Sequence, residues 1–474
     1  MARFIGRSAE LRILTSAFNR VGNLAGGNNG LAILIRGRRR VGKSRLVTEF
    51  IKRTHVPSVY FSAARYTPPH EALAEFMNAV SSSSLPNRRI AEGQVPSNFA
   101  AALRILAHSL PSDTPSIVVF DEIPWLLESI QGGAGQLQNV WDQELSQKPV
   151  LLLLLGSDIT MMQELSHPSQ PFYGRAREMI LGPMTPLDVS RWTATTGINA
   201  FDAYIMTGGQ PLVAEDWHDG TTAHEFLMDS LNNPVSALVT EGSRVLDGEF
   251  PPGSHARTVL TAIGGRGERT YTGVLNSVAG RLSPPTLESA LSTLVAARIV
   301  TADEPLSIRR SPKNRRWRIE DPALRYWLAC VEPSLADVDR GRPDLAFQRI
   351  QAQYPSWRGR AIEPIVRGAM ERLLPDNRIP HADEVGGWWP RSNIPEVDIT
   401  AVDSSTSRLG CVGTIKWRDS APVSNTDVNE LLRDAMAVPG YTPDVPLVAV
   451  CPKGSQDPRI SVTWTAEDLL MAWE

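Results

Sequence analysis

Cysteine is scarce: Cys330, Cys411 and Cys451 are the three in 474 residues, and none stands in CxxC spacing. That excludes a disulfide framework and a cysteine-based zinc site, and it fits a reducing compartment. Long hydrophobic runs are missing too. The most apolar stretch, Val150 to Leu155, is six residues long, whereas a membrane span needs about 18. The first residues, Met1-Ala-Arg-Phe-Ile-Gly-Arg-Ser, lack the apolar stretch of a secretory signal. A cytoplasmic chain without a membrane partner is therefore expected. There is also no excess of one charge: Lys plus Arg number 48 against 51 Asp plus Glu, a net charge of -3. A general polycation for nucleic acid is excluded, so any basic surface must be local. Repeats and low-complexity segments are absent. What remains is ordinary for folded protein, with 42% hydrophobic and 21% charged residues, and the length suits about three domains.

From the start to about residue 183, apolar runs alternate with helical patterns. The runs are Leu31 to Ile35, Ser58 to Phe61, Ile117 to Phe120, Val150 to Leu155 and Met179 to Leu181. Such alternation predicts a parallel sheet covered on both faces. Directly after the first run stands Gly37-Arg38-Arg39-Arg40-Val41-Gly42-Lys43-Ser44, a match to GxxxxGK[ST], and Arg45 to Arg53 reads as the following helix. Glycines let backbone N–H groups curl around phosphate oxygens, and the helix start adds a favourable dipole. Lys43 is expected to reach the β- and γ-phosphates and Ser44 to ligate magnesium. The run ending at Phe120 passes into Asp121-Glu122. Asp121 is a candidate magnesium ligand, and Glu122 a candidate to polarise the attacking water, which makes hydrolysis an expected activity beside binding. ATP and Mg2+ are the expected cofactors.

Two further positions have competing readings. Gly156-Ser157-Asp158 ends the fourth run, so Ser157 or Asp158 is a candidate γ-phosphate sensor, or the tip is a plain strand-to-loop turn. Arg175, in Tyr173-Gly174-Arg175 before the fifth run, is a candidate to stabilise γ-phosphate charge in cis or across a subunit interface. The alternative for Arg175 is an ordinary surface ion pair.

Phe4-Ile5-Gly6-Arg7 with Glu10-Leu11, the Walker A loop, Phe120-Asp121-Glu122, Gly156-Ser157, Tyr173-Gly174-Arg175 and Gly209-Gln210-Pro211 together resemble the archaeal-type ATPase family. These are AAA+/STAND-like P-loop proteins related to origin-recognition and signalling ATPases. The resemblance implies an ASCE-type sheet, a helical lid and a winged helix. It further implies that Gly6 and Arg7 lie near the adenine and that Pro211 touches nucleotide from the lid. The fold class expected is α/β. It comprises a P-loop ATPase domain over 1–185, a helical lid over 186–250, a winged helix-turn-helix over 251–331, a connector over 332–353, and a last domain over 354–474.

Within 251–331, three helix-like segments, His255 to Ile263, Thr270 to Val278 and Pro285 to Ala297, precede a basic run. Arg309, Arg310, Lys313, Arg315, Arg316 and Arg318 lie within ten residues that carry no negative charge. They make a candidate wing for the phosphates of double-stranded DNA. The bland reading is a solvated face or a set of ion pairs to acids elsewhere. The helix before the wing carries few charged side chains, which argues against sequence-specific reading.

The last 120 residues hold Glu363 on a helix, Asp398 in a strand and Lys416 in another. They resemble the restriction-endonuclease-like, PD-(D/E)xK domain found at the C-terminus of the same family. Thr414 occupies the position of its second acid. A neutral hydroxyl cannot supply a carboxylate's charge, and Glu396, Asp403 and Asp419 are poor substitutes from spacing alone. A degenerate fold that binds DNA or protein is expected in place of a nuclease. The main expectation is an ATP-driven switch, with a DNA-binding regulator holding structural nucleotide, or an ATP-gated nuclease in defence or repair, as alternatives. A protein partner and oligomerisation are left open.

Overall fold

A computed structural model describes residues 4–21, 29–157, 161–162, 165, 167–250, 252–309, 312–379 and 381–474. The chain divides into two compact units, Met1–Pro183 and Met184–Glu474. No helix of the described residues is long and apolar enough to cross a membrane.

The first unit is built on five strands, β1 (Leu31–Arg36), β2 (Ser58–Ser62), β3 (Ser116–Asp121), β4 (Val150–Gly156) and β5 (Ala176–Ile180), in the order β2-β3-β4-β1-β5. Every pairing is parallel. The leucine run of β4 is explained by the pleat, which sends successive side chains to opposite faces. Leu152 and Leu154 enter one core with Ala32, Leu34, Val118 and Phe120. Leu151, Leu153 and Leu155 enter the other with Ile33, Ile35, Ile117 and Val119. A strand buried on both faces must be apolar at every position, and each such leucine contributes about 1.5–3 kcal/mol relative to exposure. Phe120 anchors its face by aromatic contacts with Phe61, Phe76 and Phe99.

This strand order fixes the site. β4 stands between β1 and β3, so the segments leaving the carboxyl ends of all three are neighbours. In an open parallel sheet, ligands bind at those ends.

The second unit begins with helices from Pro186–Thr193 to Ala237–Glu249. Next come the helix His255–Ile263, β6 (Arg269–Thr270), the helices Tyr271–Ser277 and Pro284–Ala296, and then β7 (Val300–Asp303) and β8 (Arg316–Ile319). These three strands form an antiparallel sheet in the order β6-β8-β7. Beyond lies a five-stranded mixed sheet, β13-β12-β11-β10-β9. Its strands are β9 (Glu384–Trp388), β10 (Val397–Asp403), β11 (Arg408–Ile415), β12 (Leu447–Val450) and β13 (Ile460–Trp464). The helix Asn425–Ala435 joins the parallel pair β11 and β12, and is started by a capping box of Ser424 and Asp427.

The boundary expected at 353/354 is corrected by a continuous helix, Pro343–Arg372, that runs through it with Pro355 and Pro364 inside. Each interior proline removes a backbone hydrogen bond. Burial of Ile350, Trp357, Ile362 and Val366 in the large core of this unit offsets that loss. Arg358 of the same helix pairs with the buried Asp202 at 2.6 and 2.8 Å, fastening it to the helix Gly197–Thr207. The helices over 186–250, the three-stranded region and the last sheet thus share one unit.

Candidate nucleotide site and the basic wing

At the carboxyl end of β1 the chain turns through Gly37–Gly42 into the helix Lys43–Thr54. Gly42 has φ 93°, a left-handed conformation that favours glycine. A Cβ on Gly37 would lie 2.3 Å from the Leu181 carbonyl oxygen, so only glycine fits beneath the loop. Lys43 is buried, and its Nζ donates to the carbonyls of Gly37 at 2.7 Å and Arg38 at 3.0 Å. Val41 is buried, whereas Arg39 and Arg40 are exposed and Arg38 and Arg45 half-buried. Ser44 Oγ donates to Asp121 Oδ2 at 2.6 Å, so the residues expected to share magnesium are brought together from positions 77 apart.

Glu122 follows with φ 53°. Its N–H donates to Asp121 Oδ1 at 3.0 Å, and its Oε2 accepts from the Ser157 N–H at 3.0 Å. Ser157 is buried and its Oγ has no hydrogen-bond partner among the described residues. Asp158 lies outside the described residues.

Tyr60 was not foreseen. Its OH donates to Asp121 Oδ2 at 2.5 Å, the same oxygen that Ser44 uses. Burial, and then the Asp121 carboxylate, push the phenol well above its usual value, so it remains a donor. The available signal was its place in β2, the strand beside β3.

Gly6 and Arg7 both have positive φ. Arg7 is 5% exposed and donates to the carbonyls of Val41 and Gly182, each at 2.8 Å, with Glu10 at 2.9 Å. The guanidinium therefore ties the phosphate loop to the chain leaving β5. Pro211 stands in the second unit as the first residue of the helix Pro211–Glu215.

Arg175 is corrected by register. Ala176 pairs with Ala32 at the amino end of β1, while Ile180 pairs with Arg36 beside the loop. At about 3.3 Å per residue, Arg175 sits roughly 16 Å along the strand from the phosphate end. There its guanidinium grips Asp142 at 2.7 to 3.0 Å and the carbonyls of Pro171 and Tyr173. A cis role at the γ-phosphate is excluded, and the ion-pair reading accounts for the residue.

The basic run is also corrected in part. Arg316 is buried, with Nη1 at 2.7 Å from Glu396 and 3.2 Å from Glu268, Nε donating to Asn393 at 3.1 Å, and its head 4.2 Å from the Trp389 ring centre. Arg318 meets Asp303 and Glu320, each at 2.6 Å; burial opposes its charge, but those carboxylates outweigh it. Both point into the protein because alternate residues of β8 share a face. Arg315 pairs with Glu304 at 2.6 Å on the surface. Arg309 and Lys313 are exposed, and Arg310 lies outside the described residues.

In the last sheet, Thr414 Oγ1 and the Ile415 N–H donate to Asp398 Oδ2 at 2.9 and 2.8 Å. Lys416 faces Asp427 at 3.7 Å. Burial pushes the Glu363 carboxyl up to about 8, with Arg367 pulling the other way. The possible substitute acids are engaged elsewhere: Glu396 with Arg316, Asp419 with Arg358 at 3.3 Å, and Asp403 with Ser405 and Thr406. Arg367, not singled out from sequence, donates to the Asp398 carbonyl at 3.1 Å and reaches Glu268 at 3.5 Å. Its signal was the i,i+4 spacing from Glu363. Among the described residues, no three His, Cys, Asp or Glu side chains converge as a metal-ligand set.

A five-stranded parallel sheet of this order, with its phosphate loop and the adjoining Asp121-Glu122, defines a P-loop ATPase fold, joined here to a second unit carrying an additional sheet domain. Residues 327–431 match the family described as archaea bacterial proteins of unknown function. The chain is 24% identical over 444 residues to an uncharacterized protein of Methanocaldococcus jannaschii, covering 91% of this chain and 90% of that one. Among solved structures, it is similar to the Walker-type ATPase of Pyrococcus abyssi, with 17% identity, a TM-score of 0.49, and coverage of 69% of this chain and 96% of that chain. It is also similar to the ORC2 protein of Aeropyrum pernix, with 14% identity, a TM-score of 0.41, and coverage of 74% and 98%.

Proposed function

We propose that the protein is a magnesium-dependent ATP-hydrolysing switch whose second unit couples the nucleotide cycle to DNA or to a protein partner. The observation that carries the reading is the convergence of Lys43, Ser44, Asp121 and Glu122 at the carboxyl ends of β1 and β3. The residues fit a magnesium ion, because the Ser44 hydroxyl and Asp121 carboxylate, both hard oxygen donors, lie 2.6 Å apart beside the loop. Bound there, the ion supplies charge neutralisation on the β- and γ-phosphates. Lys43 exchanges its loop carbonyls for phosphate oxygens, and the loop N–H groups hold the remaining charge. Glu122 orients the attacking water and accepts its proton, with the Ser157 N–H holding the carboxylate in place. The test is steady-state ATP turnover with magnesium in wild type, Glu122→Gln and Lys43→Ala.

For the second unit, the order helix, strand, two helices, strand, turn, strand supports a winged helix. Its DNA-facing charges are Arg309, Lys313 and the rim residue Arg315. The Asp398 site is read as a binding platform: its carboxylate accepts from Thr414, the residue standing where the second acid is needed. Magnesium-dependent DNA nicking that disappears in Asp398→Ala but persists in Lys43→Ala would overturn that reading.

A further inference from the structure

Among the described residues, buried arginines in the second unit have carboxylate partners, with one exception. Arg316 has Glu268 and Glu396, Arg358 has Asp202, and Arg367 has Glu268. Arg325, in the helix Pro322–Tyr326, is equally buried at 5% exposure. Its side-chain hydrogen bond runs from Nη2 to the Arg360 carbonyl at 3.2 Å, and its Nε has no partner among the described residues. A cation taken out of water without a counter-charge is costly, and the cost falls when an anion joins it.

Arg325 lines a cavity of about 190 Å³ together with Arg372, Trp357, Tyr204 and Trp473. Glu320 and Arg318 also line this cavity and pair with each other at 2.6 Å, which leaves the buried Arg325 without a carboxylate of the lining to itself, beside the exposed Arg372. The volume is below the roughly 300–1,000 Å³ of sites for drug-sized ligands, so the occupant must be small. Burial, aided by Arg318, draws the Arg325 guanidinium down to about 10 against the weaker pull of Glu268, Glu363 and Asp303, none of which bonds it, and it stays charged at neutral pH.

We propose that this cavity binds a small oxyanion, a phosphate or a short carboxylate, with Arg325 as its buried counter-charge. The site is distinct from the nucleotide loop, and neither reading depends on the other. The test is calorimetric titration of the full chain carrying Lys43→Ala, which removes the competing phosphate site, against inorganic phosphate, acetate and chloride. One phosphate or acetate per chain is expected, and whichever binds assigns the class. Adding Arg325→Met is expected to weaken binding at least about tenfold. A second variant, Gly368→Leu, leaves Arg325 in place and fills the cavity from a helix position where a Cβ meets nothing within 4 Å; it is expected to abolish binding. Without added anion, Arg325→Met should melt no lower than its parent, since an unpaired buried charge is gone. Absence of binding heat in the Lys43→Ala parent, or binding unchanged in both cavity variants, would overturn the proposal.

Discussion

Replacing Arg316 with methionine asks whether this residue of the basic run faces solvent or the protein interior. Removing one partner of a buried ion pair costs about 3–5 kcal/mol. Here two facts reduce the cost: Glu396 is 39% exposed and recovers water, and Glu268 keeps Arg367 at 3.5 Å. Methionine also retains contact with the Trp389 ring. The expected loss is therefore about 2–3 kcal/mol, below the range for a pair buried on both sides. At about 2–4 °C per kcal/mol for a large domain, the melting transition of the second unit should fall by roughly 4–12 °C. Arg315→Met is the control, because its pair with Glu304 is 46% and 34% exposed and such pairs contribute about 1 kcal/mol or less. Calorimetry or fluorescence-monitored melting of both variants reads the difference. Equal, small shifts in the two would refute the inward placement of Arg316.

Three further outcomes follow from the same geometry. If DNA binds the wing, neutralising Arg309 and Lys313 together should reduce the salt slope of binding by about 2, whereas Arg318→Met should leave it unchanged; an unchanged slope in the double variant refutes the assignment. The Glu363 carboxyl titrates near 8 in the folded protein against an ordinary 4.5, so between those values the folded state keeps a proton that the unfolded chain has lost. Its contribution makes stability fall as pH rises through that window, by up to about 1.4 kcal/mol per pH unit, and denaturant melts of Glu363→Gln should show a flatter profile than wild type. Tyr60→Phe removes the second donor to Asp121 Oδ2 and should weaken magnesium-nucleotide binding about 2- to 10-fold, from the roughly 0.5–1.5 kcal/mol of one hydrogen bond; unchanged affinity by titration would contradict a positioning role.

The nucleotide site was legible because its chemistry is local. Glycines, lysine and serine must follow one another between a strand and a helix, and Asp121-Glu122 must end an apolar run. The two-faced burial of β4 was legible for a similar reason, since only a central parallel strand is apolar at every position. Arg175 was not legible, because its side of the sheet depends on register: the strand begins at Ala176, earlier than the apolar Met179 suggests. The basic run shows the same limit. Six positive charges within ten residues look alike in sequence, yet the pleat of β8 turns Arg316 inward to Glu268 and Glu396, far along the chain, and Arg318 to Asp303 and Glu320, while Arg309 and Lys313 stay outside. The helix Pro343–Arg372 was hidden by Pro355 and Pro364, whose local preference is overridden by burial of the residues around them.

The central claim is tested most directly by steady-state ATP hydrolysis with magnesium, comparing wild type, Glu122→Gln and Lys43→Ala, each with and without duplex DNA. The account predicts turnover in wild type, nucleotide binding without turnover in Glu122→Gln, and loss of both in Lys43→Ala. Turnover that survives in Glu122→Gln, or nucleotide affinity that survives in Lys43→Ala, would contradict it.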